Sequence, residues 1–382
     1  MEKSTAIREA TFMDYSGLDA LWRQAGIFTA VHSPESPNQP SFYEKWRRLW
    51  DENPAMKGVD QPWPIGWVLE DHGTIVGAVL NIPDRYKLGK RTLTAAVASG
   101  WYVDEGFRSH SLSLMRRYLG QPNVDLLPTT TASSKTKRIL EAYGKPTFVA
   151  PPGAQYRHYL VLNYRHHPAR PLRKLKIPHV KGPCHLGLAS LYRIRDSVLS
   201  RGRFGLKIAP EWKVTSETVV DDRFDTFWRD LIEQYPNRLL AFRDTETLRW
   251  RLGSKLSSGD AHLYLLHRDE DIRGFAITHF DPKSRLISLT DLQLLDETAS
   301  AVTSLLASIA KDAMEHGINS IEITGLSLEK QKLLADLGLY RVTRGFSHFY
   351  YGSRLPELQE HFADPGTWDP SLIEGDLPLR YL

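Results

Sequence analysis

Hydrophobic and polar positions change period several times along the first 165 residues, and each change predicts an element. Ile7 to Asp14 alternates as a short opening strand, and residues 15–25 then place Leu18, Leu21 and Trp22 on one helical face. A polar, proline-rich run at residues 32–40 reads as a loop. A second helix follows from Ser41, a good N-cap. Phe42, Trp46 and Leu49 are spaced for one face, and Asn53-Pro54 stops the helix. Two apolar runs then flank Asp71-His72-Gly73, a hairpin signal, and a basic turn leads into a further strand at residues 92–103. That strand gives way at Glu105-Gly106-Phe107-Arg108-Ser109-His110-Ser111 to a helical pattern with Leu112, Met115 and Leu119 on one face. Residues 124–134 read as a strand and loop, 133–145 as a helix closed by Gly144, and 147–152 and 155–164 as two last strands.

The second half repeats this order. The surroundings of Trp250 resemble those of Trp46, and residues 262–280 repeat the hairpin. Residues 285–295, 298–317, 318–325 and 327–338 repeat the strand, helix, strand and helix that follow. Agreement over seven elements predicts two copies of one α+β module, each a mixed, mostly antiparallel sheet flanked by helices. The boundaries fall at 1–165 and 211–382, with a basic, proline-rich connector and a linking helix at 166–210.

Of the 382 residues only one is cysteine, Cys184, which excludes an intrachain disulfide and suits a reducing compartment. The N-terminal stretch lacks the apolar run of a signal peptide, and nowhere is the chain apolar for long enough to span a bilayer. A soluble, cytoplasmic protein is the expectation. The net charge of +4 is unevenly spread: Arg157 to Lys213 holds 13 Lys or Arg against Asp196 and Glu211, so the rest of the chain is net acidic. Such a stretch suits a membrane surface, a nucleic acid or a phosphorylated substrate, or serves as a solvated connector. Basic and aromatic residues do not alternate in an RNA-binding pattern, so no nucleic acid is expected; peripheral contact with a membrane surface stays open. The histidines lack metal-ligand spacing, since His262 and His267 fall on opposite faces of one strand-like run.

The joint at residues 105–113 carries the candidate chemistry. A helix start offers unpaired N–H groups and partial positive charge, a seat for phosphate. Gly106 permits a sharp bend, Arg108 adds a forked cation, and Ser109, His110, Ser111 and Ser113 are short or donor-bearing. With the opening strand and the hairpin, this joint resembles the GNAT superfamily of acyl-CoA-dependent N-acyltransferases, over nearly the whole chain except the connector. The frame Arg108-Ser109-His110-Ser111-Leu112-Ser113 occupies the family's phosphate loop, with serine at both glycine positions. The helix before Asn53-Pro54 and the closing stretch at 367–376 resemble bacterial GNAT proteins of polysaccharide biosynthesis.

The resemblance implies acetyl-CoA or another acyl-CoA as co-substrate, held by Arg108 to Ser113. It also implies main-chain N–H groups of Trp101, Tyr102 and Val103 polarising a thioester carbonyl while an amine attacks. The family's acid, a tyrosine four residues before the last helix's C-cap glycine, falls on Leu140 here, with Tyr143 nearby. Asp104 and Glu105 are candidate bases, equally readable as turn acids beside Arg108. Asp291, on the matching strand of the second copy, is a third. His32, Tyr43 and Trp46 are candidate acceptor contacts, Trp46 being as readable as core. In the second copy the joint reads Asp296-Glu297-Thr298-Ala299-Ser300-Ala301, whose acids repel a diphosphate, so no working seat is expected there. Three functions remain open: N-acyl transfer to an amino sugar or other small polar amine, a degenerate binding scaffold, and Fem-type aminoacyl transfer from tRNA.

Overall fold

The computed structural model describes residues 5–26, 41–58, 64–143, 147–166, 181–281 and 284–375. The chain folds as a mixed α/β protein with mostly antiparallel sheets flanked by helices, in two compact units. Unit one is Met1–Pro152, Val219–Ser258 and Phe346–Leu382; unit two is Gly153–Thr218 and Gly259–Gly345. These units are discontinuous, whereas the sequence periodicity divides the chain into contiguous halves.

The strands in chain order begin with β1 (Ala6–Glu9), β2 (Gly66–Asp71), β3 (Thr74–Leu88), β4 (Arg91–Val103), β5 (Leu127–Thr129) and β6 (Thr147–Val149). Next come β7 (Tyr156–Val161), β8 (Lys213–Glu217) and the two-residue β9 (Leu240–Ala241). The remainder are β10 (Ala261–Arg268), β11 (Asp271–Asp281), β12 (Leu286–Leu294), β13 (Ser320–Thr324), β14 (Tyr340–Thr343) and β15 (Tyr350–Ser353). The opening strand is shorter than its pattern, because Phe12–Asp14 tighten into a 3-10 turn.

Unit one holds the sheet β1-β2-β3-β4, with β9 on β3, and a separate sheet β5-β15-β6. The β2–β3 turn has His72 at φ 48° and Gly73 at φ 78°, two consecutive left-handed residues of the kind a tight hairpin needs. Helix α1 (Tyr15–Gln24) buries Leu18, Leu21 and Trp22 against this sheet, as its spacing predicts. Helix α2 (Phe42–Arg47) starts at a capping box, Ser41 with Glu44, and relaxes into a π-helical turn over Arg48–Glu52. That turn meets the helix Thr245–Ser258: Trp250 Nε1 donates to the Arg48 carbonyl (3.2 Å) and Arg48 Nη2 donates to the Trp250 carbonyl (2.6 Å).

Ile373 and Glu374 are fastened into unit one by a buried knot of charge. Arg243 donates to Glu374 (2.8 Å), and the hydroxyls of Tyr86 and Tyr351 donate to the same carboxylate (3.2 and 3.1 Å). Arg251 reaches Asp84 (2.6 Å) and the Ile373 carbonyl (2.5 Å). Each charge is matched, which such burial requires.

In unit two the sheet runs β14-β7-β13-β12-β11-β10-β8, with β12 and β13 parallel. The helix Ala299–Glu315 buries its apolar face on it. Among the described residues, no helix is long and apolar enough to cross a membrane.

The knot makes a direct prediction. Arg251→Met leaves Asp84 buried without its cation and should cost about 3–5 kcal/mol in urea unfolding. Adding Asp84→Leu should restore most of that; no restoration would mean the pair is not the source of the loss.

Candidate active site

Strand β4 sets the geometry of the candidate site. It pairs with β3 from Gly77–Val103 down to Leu88–Arg91, with one residue, Gly100, unmatched between Ser99 and Trp101. Gly100 sits at φ 54° and its missing side chain leaves room for Trp22, whose ring atoms lie 3.0 Å from an ideal Cβ. A glycine within a strand signals such a bulge.

The bulge resets the alternation of the main chain. Ala96 turns its N–H away from β3, donating to the Leu126 carbonyl (3.0 Å). Counting by twos, Ala98 faces the same way; past the bulge the groups of Trp101 and Val103 do so, while Tyr102 faces β3.

What they face is a gap. β4 holds the chain leading into β5 through Thr94, which bonds to Asn123 and Asp125, and through the parallel bridge Ala95–Leu126; residues 127–129 then pair with β15 instead. The Tyr118 hydroxyl donates to the Ala96 carbonyl (2.9 Å), satisfying the first acceptor that β5 abandons. Beyond it lies a cleft of about 210 Å³ between Ala98–Trp101 on one side and Thr129, Ala132 and Phe148 on the other. Ser99 is 4% exposed, and its Oγ, like Trp101 Nε1, lacks a hydrogen-bond partner among the described residues. Buried polar groups are rarely left so without a role for a missing partner.

The joint that follows β4 is tighter than its sequence suggests, and none of residues 104–113 lines the cleft. Glu105–His110 form a 3-10 helix that runs straight into α3 (Ser111–Gly120). Phe107 N–H donates to the Asp104 carbonyl (2.9 Å), and Ser111 N–H to that of Arg108. The unpaired amides of the helical start therefore move forward, toward Glu105 and Gly106, instead of lying at 109–113. No side chain caps either helix start. Arg108, Ser109 and Leu112 are exposed; His110, Ser111 and Ser113 are half-buried, so the joint opens to solvent. Leu112 corrects the predicted apolar face: it is 51% exposed, while Leu114, Met115, Tyr118 and Leu119 form the buried side.

The candidate acid and bases fall in different settings. Tyr143 ends α4 (Ser134–Ala142) and its hydroxyl donates to the Leu112 carbonyl (3.0 Å), so it reaches the first turn of α3 despite its offset. Leu140, at the family's tyrosine position, is buried and lines the cleft. Asp104 directly follows β4, with a buried Oδ1 that has no hydrogen-bond partner among the described residues, and its carboxylate lies within reach of the Tyr102 phenol. Glu105 is exposed and ion-pairs with Arg108 (3.3 Å), a solvated contact of little energy. Asp291 belongs to unit two, where it is buried and accepts from the Leu292 N–H and Gln293 Nε2 (both 3.0 Å).

Trp46 is core: it is 2% exposed, stacks on Phe42 and donates to the Phe12 carbonyl (2.9 Å), so it has no face left for a ligand. Tyr43 is half-exposed, braced edge-on by Phe12 and Tyr15. His32 lies outside the described residues. Among those described, no cluster could hold a metal ion. Ser99, Gly100 and Tyr118 were not legible as site residues, though a lone glycine in an apolar strand was a usable hint.

Unit two differs at the matching places. Thr298 caps the helix Ala299–Glu315 by accepting from Ala301 N–H. Asp296 pairs with Arg273 (3.0 Å), whose hydrogen bonds hold its carboxyl below the usual range. Lys330 is buried, donating to the Leu292 carbonyl (2.7 Å) and Gln293 Oε1 (3.2 Å).

No protein-family model and no characterised protein matches the sequence. Solved structures do. One is a conserved protein of unknown function from Enterococcus faecalis V583, described as a probable N-acyltransferase. It has a TM-score of 0.57 at 12% identity, over 94% of this chain and 74% of that one. Another is a GCN5-related N-acetyltransferase from Anabaena variabilis ATCC 29413, with a TM-score of 0.51 at 11% identity, over 91% and 72%. The chain thus has the fold of the GCN5-related N-acetyltransferases, the GNAT fold.

Tyr118→Phe keeps the packing of α3 but strands the Ala96 carbonyl, and should cost about 1–3 kcal/mol. Urea unfolding measures it; an unchanged midpoint would mean the carbonyl finds another donor.

Proposed function

We propose that unit one is an acyl-CoA-dependent N-acyltransferase acting on a small polar amine, an amino sugar being the candidate class. The carrying observation is the cleft beside the bulged strand β4, where the Ser99 hydroxyl and Trp101 Nε1 are buried without hydrogen-bond partners among the described residues, on the strand that leads into an uncapped helix start. We also infer that the chain holds two copies of the GNAT fold. In support, the hairpin β10–β11 shifts register just before its turn as β2–β3 does, and the next strand leaves one residue unmatched in each unit, Thr290 in β12 and Gly100 in β4.

The bound thioester would supply the activated acyl group. In this reading Arg108 and the amides at Glu105 and Gly106 hold its diphosphate, and the Ser111 and Ser113 side chains sit where closer approach needs glycine. The main-chain N–H groups of Trp101 and Val103 polarise the carbonyl, being fixed in place before reaction. Asp104 takes the amine proton at its unpartnered Oδ1. Tyr143 is committed to the Leu112 carbonyl, which makes it a brace for α3 ahead of a poised acid. Tyr43 offers an acceptor a flat, half-exposed ring. Unit two, with a capped helix start and Lys330 bonded to its β12 edge, has a structural role.

Acetyl-CoA or a longer acyl-CoA should raise the melting temperature, and Arg108→Glu should remove that shift without changing the unliganded value. Asp104→Asn should lower kcat about 100-fold or more with KM for acyl-CoA unchanged, while Tyr143→Phe should lower it less than tenfold. A shift without turnover would favour a degenerate binding scaffold. No shift with any CoA would remove the reading.

A further inference from the structure

Unit two carries a second recess, remote in sequence from the chemistry above. It has a volume of about 280 Å³ and is lined by Tyr164, Arg165, Arg193, Arg203, Met314 and Gly317, among others. Among the described residues, three arginines and no carboxylate line it. None of the three makes an ion pair with a carboxylate among the described residues. The nearest acid in sequence, Asp196, is consumed: it is fully buried, ion-paired with Arg195 (2.6 Å), and accepts from the hydroxyls of Tyr164 (2.8 Å) and Tyr340 (3.0 Å).

Arg203 is the fixed member. Its Nη1 donates to the Leu162 carbonyl (2.5 Å), and its guanidinium lies over the Phe204 ring at 4.8 Å. Burial lowers its proton affinity, and the Arg193 cation adds to that, partly offset by Tyr164. A fourth arginine borders the site, since Arg285 Nη1 lies 3.9 Å from an ideal Cβ on Gly317. The local amides are already spent: Gly317 N–H donates to Met314, Ile318 N–H to Ala313, and Arg165 N–H to Asn163 Oδ1. Recognition therefore falls to the guanidinium forks, which match tetrahedral oxyanions two oxygens at a time.

We propose that this recess binds the phosphoryl group of a phosphate-bearing ligand. Like charges held together in a concave, partly desolvated site repel one another, and a phosphate removes that repulsion while filling their donors. The group could be carried by a soluble small molecule or by a lipid headgroup. The first fits the geometry better. Leu191, Ile194 and Val198 form the exposed apolar stripe of the helix Lys181–Val198, and Arg193 projects from the opposite side, so recess and stripe are not one surface.

The test titrates the full chain with sodium pyrophosphate against sodium chloride of equal ionic strength, following the melting temperature and the heat of binding. It is run in an Arg108→Glu background, so that the helix start of unit one contributes nothing. Pyrophosphate should stabilise this protein, and Arg193→Glu or Arg165→Glu, both at exposed positions, should weaken binding at least tenfold with the unliganded melting temperature unchanged. In a second arm, vesicles of phosphatidylglycerol in phosphatidylcholine are sedimented with the protein. Binding lost in Arg193→Glu would assign the phosphate to a lipid, and its absence alongside pyrophosphate binding would assign it to a soluble ligand. No stabilisation beyond chloride, or stabilisation that survives both charge reversals, would overturn the proposal.

Discussion

The structure of unit one depends on strand β5 leaving β4. After the single bridge at Ala95 and Leu126, β5 takes β15 as its partner, and the edge of β4 is left to face side chains instead of a ladder. A sheet edge inside a fold carries unpaired N–H and C=O groups that must be satisfied or given a use. Here Tyr118 answers for one carbonyl, and the bulge at Gly100 aims the next groups across the cleft. Had β5 continued along β4, there would be a continuous sheet and no gap at its edge.

That divergence has to be held open, and the restraint comes from far along the chain. β15 spans Tyr350–Ser353 and lies between β5 and β6, while the segment after it ends in the buried carboxylate of Glu374. The Arg243 and Arg251 side chains that meet this segment sit beside and within a helix of residues 245–258. The cleft is lined by residues between Val79 and Phe148, but the strands on its far side are held by a strand that follows about 200 residues later. Such an arrangement closes long loops before it gains contacts, and it makes the local geometry of β5 a property of the whole unit.

Much of this was legible locally. Ser41 with Glu44, Asp71-His72-Gly73 and the helical spacing of Leu18, Leu21 and Trp22 each state their structure within a few residues, because caps, turns and amphipathic faces are short-range devices. The GNAT resemblance likewise rested on the order of elements, which the sequence preserves. What was hidden is what depends on partners. Trp46 and a ligand-stacking tryptophan look alike in sequence; burial behind Phe42 separates them. Leu112 reads as core because it shares a face with Met115 and Leu119, but the buried side is centred between Leu114, Met115, Tyr118 and Leu119, about a quarter turn away. The exchange of β5 from β4 to β15 leaves no local mark at all.

Hydrogen exchange with and without CoA addresses the gap most directly. If the edge of β4 and the start of α3 receive the ligand, amides at residues 97–103 and 105–108 should slow on adding CoA, while those at 290–301 in unit two should not change. Slowing confined to unit two, or none at saturating CoA, would contradict the assignment of the cleft beside β4 as the acyl-CoA site.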